Sequence, residues 1–283
     1  MIGKSSFLIV LYDKNFNDSK TINNLLKHKA VLENSDIYIF NNGPNYLKPD
    51  LEMDFGNCNV VIEQDLSNKS LSEIYNKFVE KFCSSRYVFL DDDSELTREY
   101  VVNAVNVTSE ELAYPVIEFE GGSFPNVLNS PYFELNKLIG NYLPEDLELV
   151  TIMSGIVLGA EFMKVIKQHY GQVFDERFTF YGVDTSFCYR VNYLRSESKI
   201  KLISGFPHDL SKVSDTPISN FKRDQNSIAV ALMLREYEAF PKSLCKLTMW
   251  VIVEIYRLLL FKDTNQNLFI LIKVFVLGIR NKL

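Results

Sequence analysis

The chain has 283 residues, of which 47% are hydrophobic, enough to bury a substantial core as one large domain or as a domain with an appendage. Its formal net charge of −6 argues against general nucleic-acid binding, because that activity relies on clustered cations that neutralise phosphates. The charge is unevenly spread, since residues 241–283 carry a net charge of +5 and the remainder carries −11. Two regions with different partners are therefore expected.

The cysteines and the N-terminus indicate the compartment. The four cysteines are far apart, form no CxxC pair and have no nearby histidine at metal-ligand spacing, so we expect neither a zinc site nor a disulfide framework. A reducing cytoplasm fits this pattern. The first apolar stretch has only six residues before Asp13, which is too short for a signal-peptide core, and we expect that the chain is not exported.

The beginning of the chain is typical of an alternating α/β protein. Residues 7–12 (FLIVLY) form the continuous apolar run of a strand buried on both faces. Residues 18–32 then place apolar side chains at helical spacing, with Asp18 or Ser19 available as the N-cap. A second strand is predicted at 36–40, directly before the turn NNGPN.

The clearest helix covers residues 71–82, where six apolar side chains recur at helical spacing. It leads to the apolar run 86–90 (RYVFL) and then to three consecutive aspartates. Strands and helices that alternate in this way predict a mostly parallel central sheet flanked by helices. Ligands bind at the carboxyl ends of such strands, where Asp13, Asn41 and Asp91–Asp93 are all expected to lie.

The second half of the main domain gives a weaker pattern. A strand is indicated at 111–119, followed by a Gly/Pro-rich loop at 120–133 that is long enough to line a site. Residues 151–170 indicate a strand with a glycine at a close approach and then a helix. An aromatic-rich loop and a helix follow at 171–194, and a last strand at 199–206.

The C-terminal region differs from the rest. We expect a main domain over residues 1–215 and a helical appendage over 216–283. The apolar segments 244–261 and 267–279 are interrupted by charges, and the second is shorter than the roughly 20 residues that span a bilayer. Basic, apolar helices of this type often lie in a membrane interface, and Trp250 favours that interpretation. The alternative is packing on the main domain or on a second copy of the chain, as a homo-oligomer.

The three adjacent aspartates repel one another unless a cation is shared or solvent is plentiful. In an extended segment alternate side chains point the same way, so Asp91 and Asp93 can converge while Asp92 faces elsewhere. Mg²⁺ and Mn²⁺ prefer oxygen ligands and commonly bind carboxylates together with substrate phosphates. The segment therefore predicts either a metal–diphosphate site or a solvated acidic turn.

A second group of residues favours the metal site. Residues 174–191 (FDERFTFYGVDTSFCYRV) place Asp184 after a glycine and an aromatic cluster at a helix start, where an ordinary N-cap is the simpler interpretation. The chain thus has three motifs in order: a strand followed by DDD, then MSG at 153–155, then the segment 174–191. In their order and separation these motifs resemble those of the family 2 glycosyltransferases with the GT-A fold. The resemblance covers roughly residues 5–210. The chain is similar in particular to bacterial enzymes that build O-antigen, capsule or other surface polysaccharides.

The resemblance implies a role for each matching residue. Asp91 and Asp93 match the DxD of the family, in which the first aspartate contacts the donor ribose or the metal and the last binds the metal. Asp92 lies between them in the nucleotide-sugar-binding segment. His208 matches a histidine that completes the metal shell or contacts the diphosphate, and Asp184 matches the catalytic base. The implied cofactor is Mn²⁺ or Mg²⁺.

The same resemblance implies the residues around the nucleotide. Asp13 and Asn41 match positions that hold the base. Asn68, Lys69 and Asn76 fall in a segment that lies beside the nucleotide. The chain departs from the family pattern at three positions. Asn41 replaces the usual aspartate, which leaves both UDP and dTDP open as the nucleotide of the donor. Val183 and Ser186 stand where acidic residues are common.

The function implied is an inverting glycosyltransferase that acts on a nucleotide-sugar donor and a growing, lipid-linked glycan acceptor. The enzyme is then expected in the cytoplasm, peripheral on the inner face of the plasma membrane, and attached by its C-terminal helices. A different class remains open, in which the domain is a catalytically inactive binding or assembly subunit.

Overall fold

The computed structural model describes residues 3–48, 53–119, 122–130, 134–197, 199–208, 219–260 and 262–278. Its strands are β1 (Ser5–Leu11), β2 (Asp36–Asn41), β3 (Asn59–Gln64), β4 (Arg86–Asp91), β5 (Glu111–Phe119), β6 (Gly122–Phe124), β7 (Asn126–Val127), β8 (Leu149–Val150), β9 (Val157–Gly159) and β10 (Lys199–Pro207). Its α-helices are α1 (Lys20–Lys27), α2 (Leu71–Lys81), α3 (Arg98–Asn106), α4 (Ala160–Tyr170), α5 (Val183–Tyr193), α6 (Asn220–Glu236), α7 (Lys242–Leu259) and α8 (Leu268–Leu277).

An eight-stranded sheet forms the centre, in the order β10-β5-β9-β4-β1-β2-β3, with β6 paired to β5. The strands β1 to β4 pair in parallel, as do β5 and β10. The short strand β9 runs antiparallel between β4 and β5. The expected α/β fold with a mostly parallel sheet and flanking helices is confirmed.

Side chains that alternate along the strands build a core on each face of the sheet. Leu8 and Phe89 point to the face that α2, α4 and α5 cover. Phe7 and Val88, one residue away, point to the opposite face, which α1 and α3 cover. Because helices cover both faces of the sheet, the strands carry apolar side chains on both faces, as the apolar run at 7–12 predicts.

The C-terminal helices α6, α7 and α8 are present as expected. Within the ranges that the structure describes, no helix is both long enough and apolar enough to cross a bilayer. The expected domain boundary at 215/216 lies outside the described residues. The division into a main domain and a C-terminal region remains a prediction.

Candidate active site

The site lies at the edge of the sheet where β1, β2 and β4 end. In register, Val10 is opposite Asp91 and Leu11 is opposite Asn41, so the carboxyl ends of three neighbouring strands meet here. The backbone N–H of Asp13 donates a 2.7 Å hydrogen bond to the carbonyl of Gly43, which joins the loops after β1 and β2. The predicted residues of this edge are thereby brought together around one crevice.

The backbone of the aspartate segment is fixed by hydroxyl groups. Ser19, the N-cap of α1, donates from Oγ to the carbonyl of Asp92 at 2.8 Å, and Thr21 Oγ1 donates to the carbonyl of Asp91. On the other side the N–H of Asp91 donates to Ser154 Oγ at 3.1 Å. Because its main chain is held from both sides, the segment presents its carboxylates in a fixed arrangement.

Asp91, Asp93 and His208 converge on one point. One ligand atom from each of these three side chains lies within 4.8 Å of the other two. Asp92 faces elsewhere, since its Oδ1 accepts a 2.5 Å hydrogen bond from Lys14 Nζ in a partly buried ion pair. This separation of Asp92 from its neighbours follows the alternation of side chains in an extended segment.

The three converging side chains fit a divalent cation. His208 follows β10 and is only 7% exposed, and its Nδ1 is buried without a hydrogen-bond partner among the described residues. That atom lies 3.8 Å from Asp93 Oδ1. A divalent cation bound between this ring nitrogen and the two carboxylates would give the nitrogen a partner and reduce the repulsion between the carboxylates. Two carboxylate oxygens also match the preference of Mg²⁺ and Mn²⁺.

Asp184 is supplied by the first turn of α5. Gly182 is the residue before the helix and has φ of 79°, a left-handed conformation that favours glycine. The N-cap position therefore belongs to Gly182, and the simpler interpretation of Asp184 as an ordinary N-cap is wrong. The backbone N–H groups of Met153 and of Asp184 itself instead favour the ionised form of its carboxyl group and act to lower its pKa.

The pKa values of Asp184 and Asp91 are both raised. Burial raises the pKa of Asp184 to about 6, although hydrogen bonds from backbone N–H groups oppose the shift. The pKa of Asp91 is raised to about 8, first by burial and then by the charges of Asp184, Asp93 and Asp92. Asp184 thus lies near enough to Asp91 for its charge to act on that carboxylate. A strongly raised pKa in a polar crevice is typical of functional sites.

The predicted nucleotide residues line the loops next to this crevice. Asn41 is 1% exposed, and its amide donates to the carbonyl of Asn45 and to Gln64 Oε1. It therefore shapes the loop after β2 from within. Asn68 has a positive φ of 54°, and Lys69 pairs with Asp65 at 3.1 Å.

Asn76 of α2 is almost fully buried, at 7% exposure. It donates to the Phe174 carbonyl at 2.9 Å and to Glu176 at 3.0 Å, and its Oδ1 accepts from the N–H of Phe174. The side chain therefore joins α2 to the segment that precedes α5. The nucleotide-binding roles of Asn41, Asn68, Lys69 and Asn76 remain predictions.

Three residues at the crevice are absent from the sequence-based set. Lys14 pairs with Asp92, and Ser154 bonds the main chain of Asp91. Asn42 is buried and accepts from the N–H of Lys69 at 2.7 Å, which fastens the turn before α2 to the end of β2. Ser154 lies within the quoted MSG motif, and Asn42 directly follows a predicted strand.

A buried ionic network supports the segment before α5. Asp175 is 2% exposed and accepts from Arg177 at 2.7 Å and from the Tyr237 hydroxyl at 2.8 Å. Arg190 of α5 lies 3.2 Å from the same carboxylate and donates to the carbonyls of Gln172 and Val173. Burial opposes ionisation of Asp175, but these partners outweigh it and hold its pKa below the ordinary value.

No family model and no curated protein matches the sequence. Solved structures do match. S. aureus TarS shares 12% identity with a TM-score of 0.51, over 90% of this chain and 43% of that chain. The chain shares the fold of TarS. Residues 1–349 of TarS in complex with UDP-GlcNAc match with 11% identity and a TM-score of 0.52. The same residues in complex with UDP match with 10% identity and a TM-score of 0.50. Both complexes are matched over 90% of this chain and 72% of that chain.

The present chain spans less than half of the longer TarS chain. At identities of 10–12%, the similarity shows a common fold. It confirms the expected architecture independently of the short motifs.

Proposed function

We propose that the protein is an inverting glycosyltransferase that moves a sugar from a nucleotide-sugar donor to a hydroxyl group of an acceptor. The observation that carries the proposal is the convergence of Asp91, Asp93 and His208 on one point, with Asp184 near enough for its charge to raise the pKa of Asp91. The shared fold supports it, because TarS has been crystallised with UDP-GlcNAc and with UDP. The resemblance of the ordered motifs to family 2 glycosyltransferases supports it further.

Asp184 is suited to be the general base. An acceptor hydroxyl is a poor nucleophile, and a carboxylate within hydrogen-bond reach makes it a better one by taking its proton. With a pKa raised to about 6 by burial, Asp184 is a stronger base than an ordinary aspartate and is still ionised at neutral pH. The acceptor oxygen forms its bond to the anomeric carbon as the bond to the diphosphate breaks, which inverts that carbon.

The converging side chains have the complementary role of holding the leaving group. When bound, Mn²⁺ or Mg²⁺ supplies positive charge that stabilises the departing diphosphate. Asp91, Asp93 and His208 would hold this cation. Asp92 would contribute indirectly, since its ion pair with Lys14 turns its carboxylate away from the shared point and partly offsets its charge.

The nucleotide is proposed to lie along the loops after β1 and β2. Asp13 and Asn41 would form the edge that meets the base, and Asn68 and Lys69 would lie beside it. Position 41 is neutral, and its amide is already engaged with Gln64. Asn41 would therefore act by shaping this loop, and the proposal of UDP or dTDP as the nucleotide rests on the resemblance.

The acceptor is proposed to be a growing, lipid-linked surface polysaccharide, of the O-antigen or capsule type. The motif resemblance supports this choice. The reaction class itself rests on the crevice and does not depend on the acceptor.

Thermal unfolding with Mn²⁺ and UDP or dTDP tests the proposal. A nucleotide at about one hundred times its Kd stabilises a protein by about 2.7 kcal/mol. At a few degrees per kcal/mol for a chain of this size, we expect the Tm to rise by roughly 5–10 °C, and only with the metal present. Asp93→Ala should abolish the rise, whereas Asp54→Ala, at an exposed carboxylate, should retain it. Absence of any nucleotide effect on the native chain would favour an inactive binding subunit.

A further inference from the structure

The helix α7 is oriented with its apolar side outward. Its buried side chains are Ser243, Leu247 and Glu254, so the contact side is largely polar. Met249, Ile252, Tyr256 and Leu259 follow at i, i+3, i+7 and i+10, which puts them together on the opposite side of the helix. Each of these four is at least 60% exposed. A helix of a water-soluble surface normally has the reverse arrangement.

The helix α8 also exposes apolar side chains. It packs through Leu271 and Val274, while Phe269 and Val276 are 74% and 61% exposed. We call the exposed apolar side chains of the two helices the α7–α8 face. Its most exposed members are Met249, Ile252, Tyr256, Leu259, Phe269 and Val276. Scattered apolar side chains on a surface are ordinary, but a row of strongly exposed ones along one side of a helix, as on α7, marks an interaction surface.

The charges around the α7–α8 face are mainly positive. Arg257, Lys262 and Lys273 have no carboxylate within ion-pair distance in the part of the chain that the structure describes. Of the two acidic residues in the same region, Glu254 is fully buried and only Asp263 is exposed. The face therefore combines an apolar area with cations that have no neutralising partner of their own.

We propose that the α7–α8 face docks on the surface of an anionic lipid bilayer, with both helices lying in the plane of the interface. The apolar side chains would enter the boundary between headgroups and acyl chains, and the cations would meet lipid phosphates. Trp250 and Tyr256 have the amphipathic rings that are enriched at this depth. Pairing with a second copy through the same face is less favourable, because it would bring the unpaired cations of both copies together.

Met249 of the α7–α8 face lies near the start of α5. A groove of about 750 Å³ has Met249, Trp250 and Val253 on one side. Gly182 and Thr185, which flank Asp184 in the chain, are on the other. This part of the inference rests on the proposed function: docking would hold the start of α5 near the bilayer, where a lipid-linked acceptor resides. The peripheral membrane location proposed for the protein follows from the same contact.

Sedimentation with vesicles tests the docking, without nucleotide or metal, so that its outcome is independent of the catalytic proposal. The probes are vesicles of equal parts phosphatidylglycerol and phosphatidylcholine, and vesicles of phosphatidylcholine alone. We expect the native chain to bind the anionic vesicles more tightly. The triple variant Ile252→Ser, Tyr256→Ser, Leu259→Ser should bind at least about tenfold more weakly.

The matched control is Tyr46→Ser, Leu66→Ser, Leu128→Ser, which removes one tyrosine and two leucines that are exposed elsewhere. It should bind as the native chain does. Circular dichroism and the Tm establish that both triple variants are folded.

The charges are tested separately, in case the apolar variant does not fold. Lys262→Gln with Lys273→Gln should weaken binding to anionic vesicles by roughly thirtyfold, since each cation near such a surface contributes about a factor of five. Lys164→Gln with Lys199→Gln, at exposed lysines that pair with glutamates elsewhere, should have little effect.

The proposal is overturned if the native chain binds neither vesicle, or if the face variants bind as tightly as their controls. Analytical ultracentrifugation tests the alternative that a second copy of the chain covers the α7–α8 face. A dimer that the Ile252, Tyr256 and Leu259 substitutions convert to monomer, with no vesicle binding by the native chain, would assign the face to a second copy.

Discussion

The ionic network below α5 gives a prediction whose size follows from the structure. In Asp175→Ala the buried carboxylate that joins Arg177, Arg190 and Tyr237 is lost. The Arg190 side chain is only 5% exposed, so its charge would remain buried without a counter-ion. Removing one partner of a buried pair costs about 3–5 kcal/mol. Arg177 is 43% exposed, so solvent screens its interaction with Asp175. The lower end of that range therefore applies.

We therefore expect the free energy of unfolding of Asp175→Ala to fall by about 3 kcal/mol. For a chain of this size the Tm should fall by roughly 6–12 °C. Differential scanning calorimetry measures the change. Asp54→Ala is the control, since it removes an exposed carboxylate that pairs with Lys29, and its Tm should stay close to that of the native chain. Equal Tm values for the native chain and Asp175→Ala would refute the reasoning.

The same network sets a pH dependence. The pKa of Asp175 is lower in the folded protein than in the unfolded chain, so its contribution to stability is fully present above the unfolded pKa and is lost as pH falls through the folded pKa. The difference in unfolding free energy between the native chain and Asp175→Ala should be constant from neutral pH down to about pH 4, the ordinary aspartate value, and should shrink below it. Chemical denaturation across this range measures it. A difference that grows in acid would contradict the assignment.

The remaining predictions concern the reaction and one glycine. Asp184→Asn should lower transfer by about a hundredfold or more while leaving donor binding intact, as measured by turnover and calorimetric titration, and unchanged turnover would exclude Asp184 as the base. In the native chain, kcat/KM should fall in acid as Asp184 becomes protonated, with a midpoint near its pKa of about 6 in the free enzyme, and a kcat/KM that stays level to pH 5 would contradict this. Gly155→Ala should lower the Tm, because Gly155 has φ of +87° and an added Cβ would lie 2.7 Å from Pro115 and 2.8 Å from Phe206. A Tm equal to that of the native chain would show that the turn tolerates a side chain.

Periodicity predicts the long elements of this fold well. The continuous apolar run of β1 and the helical spacing of α2 each specify one element, and both are present. The strand β9 is a different case, since it has three residues and its antiparallel direction depends on its pairing with β4 and β5. A three-residue apolar stretch carries no information about strand direction.

The site could be predicted in part. Alternation along an extended segment explains why Asp91 and Asp93 converge while Asp92 does not. The presence of His208 at the same point follows from the resemblance and not from any local pattern. Lys14 is 78 residues from Asp92 in the chain, and such a pair depends on how β1 and β4 are placed together. Contacts of this kind become visible only once the sheet order is known.

The central claim is that this crevice transfers a sugar from a nucleotide. A screen of UDP- and dTDP-sugars with Mn²⁺ or Mg²⁺, followed by release of the nucleoside diphosphate, tests it most directly. We predict that the native chain turns over at least one donor in a metal-dependent way, and that Asp184→Asn binds the same donor without releasing the diphosphate. Failure of the native chain to bind or cleave any of these donors with either metal would contradict the claim.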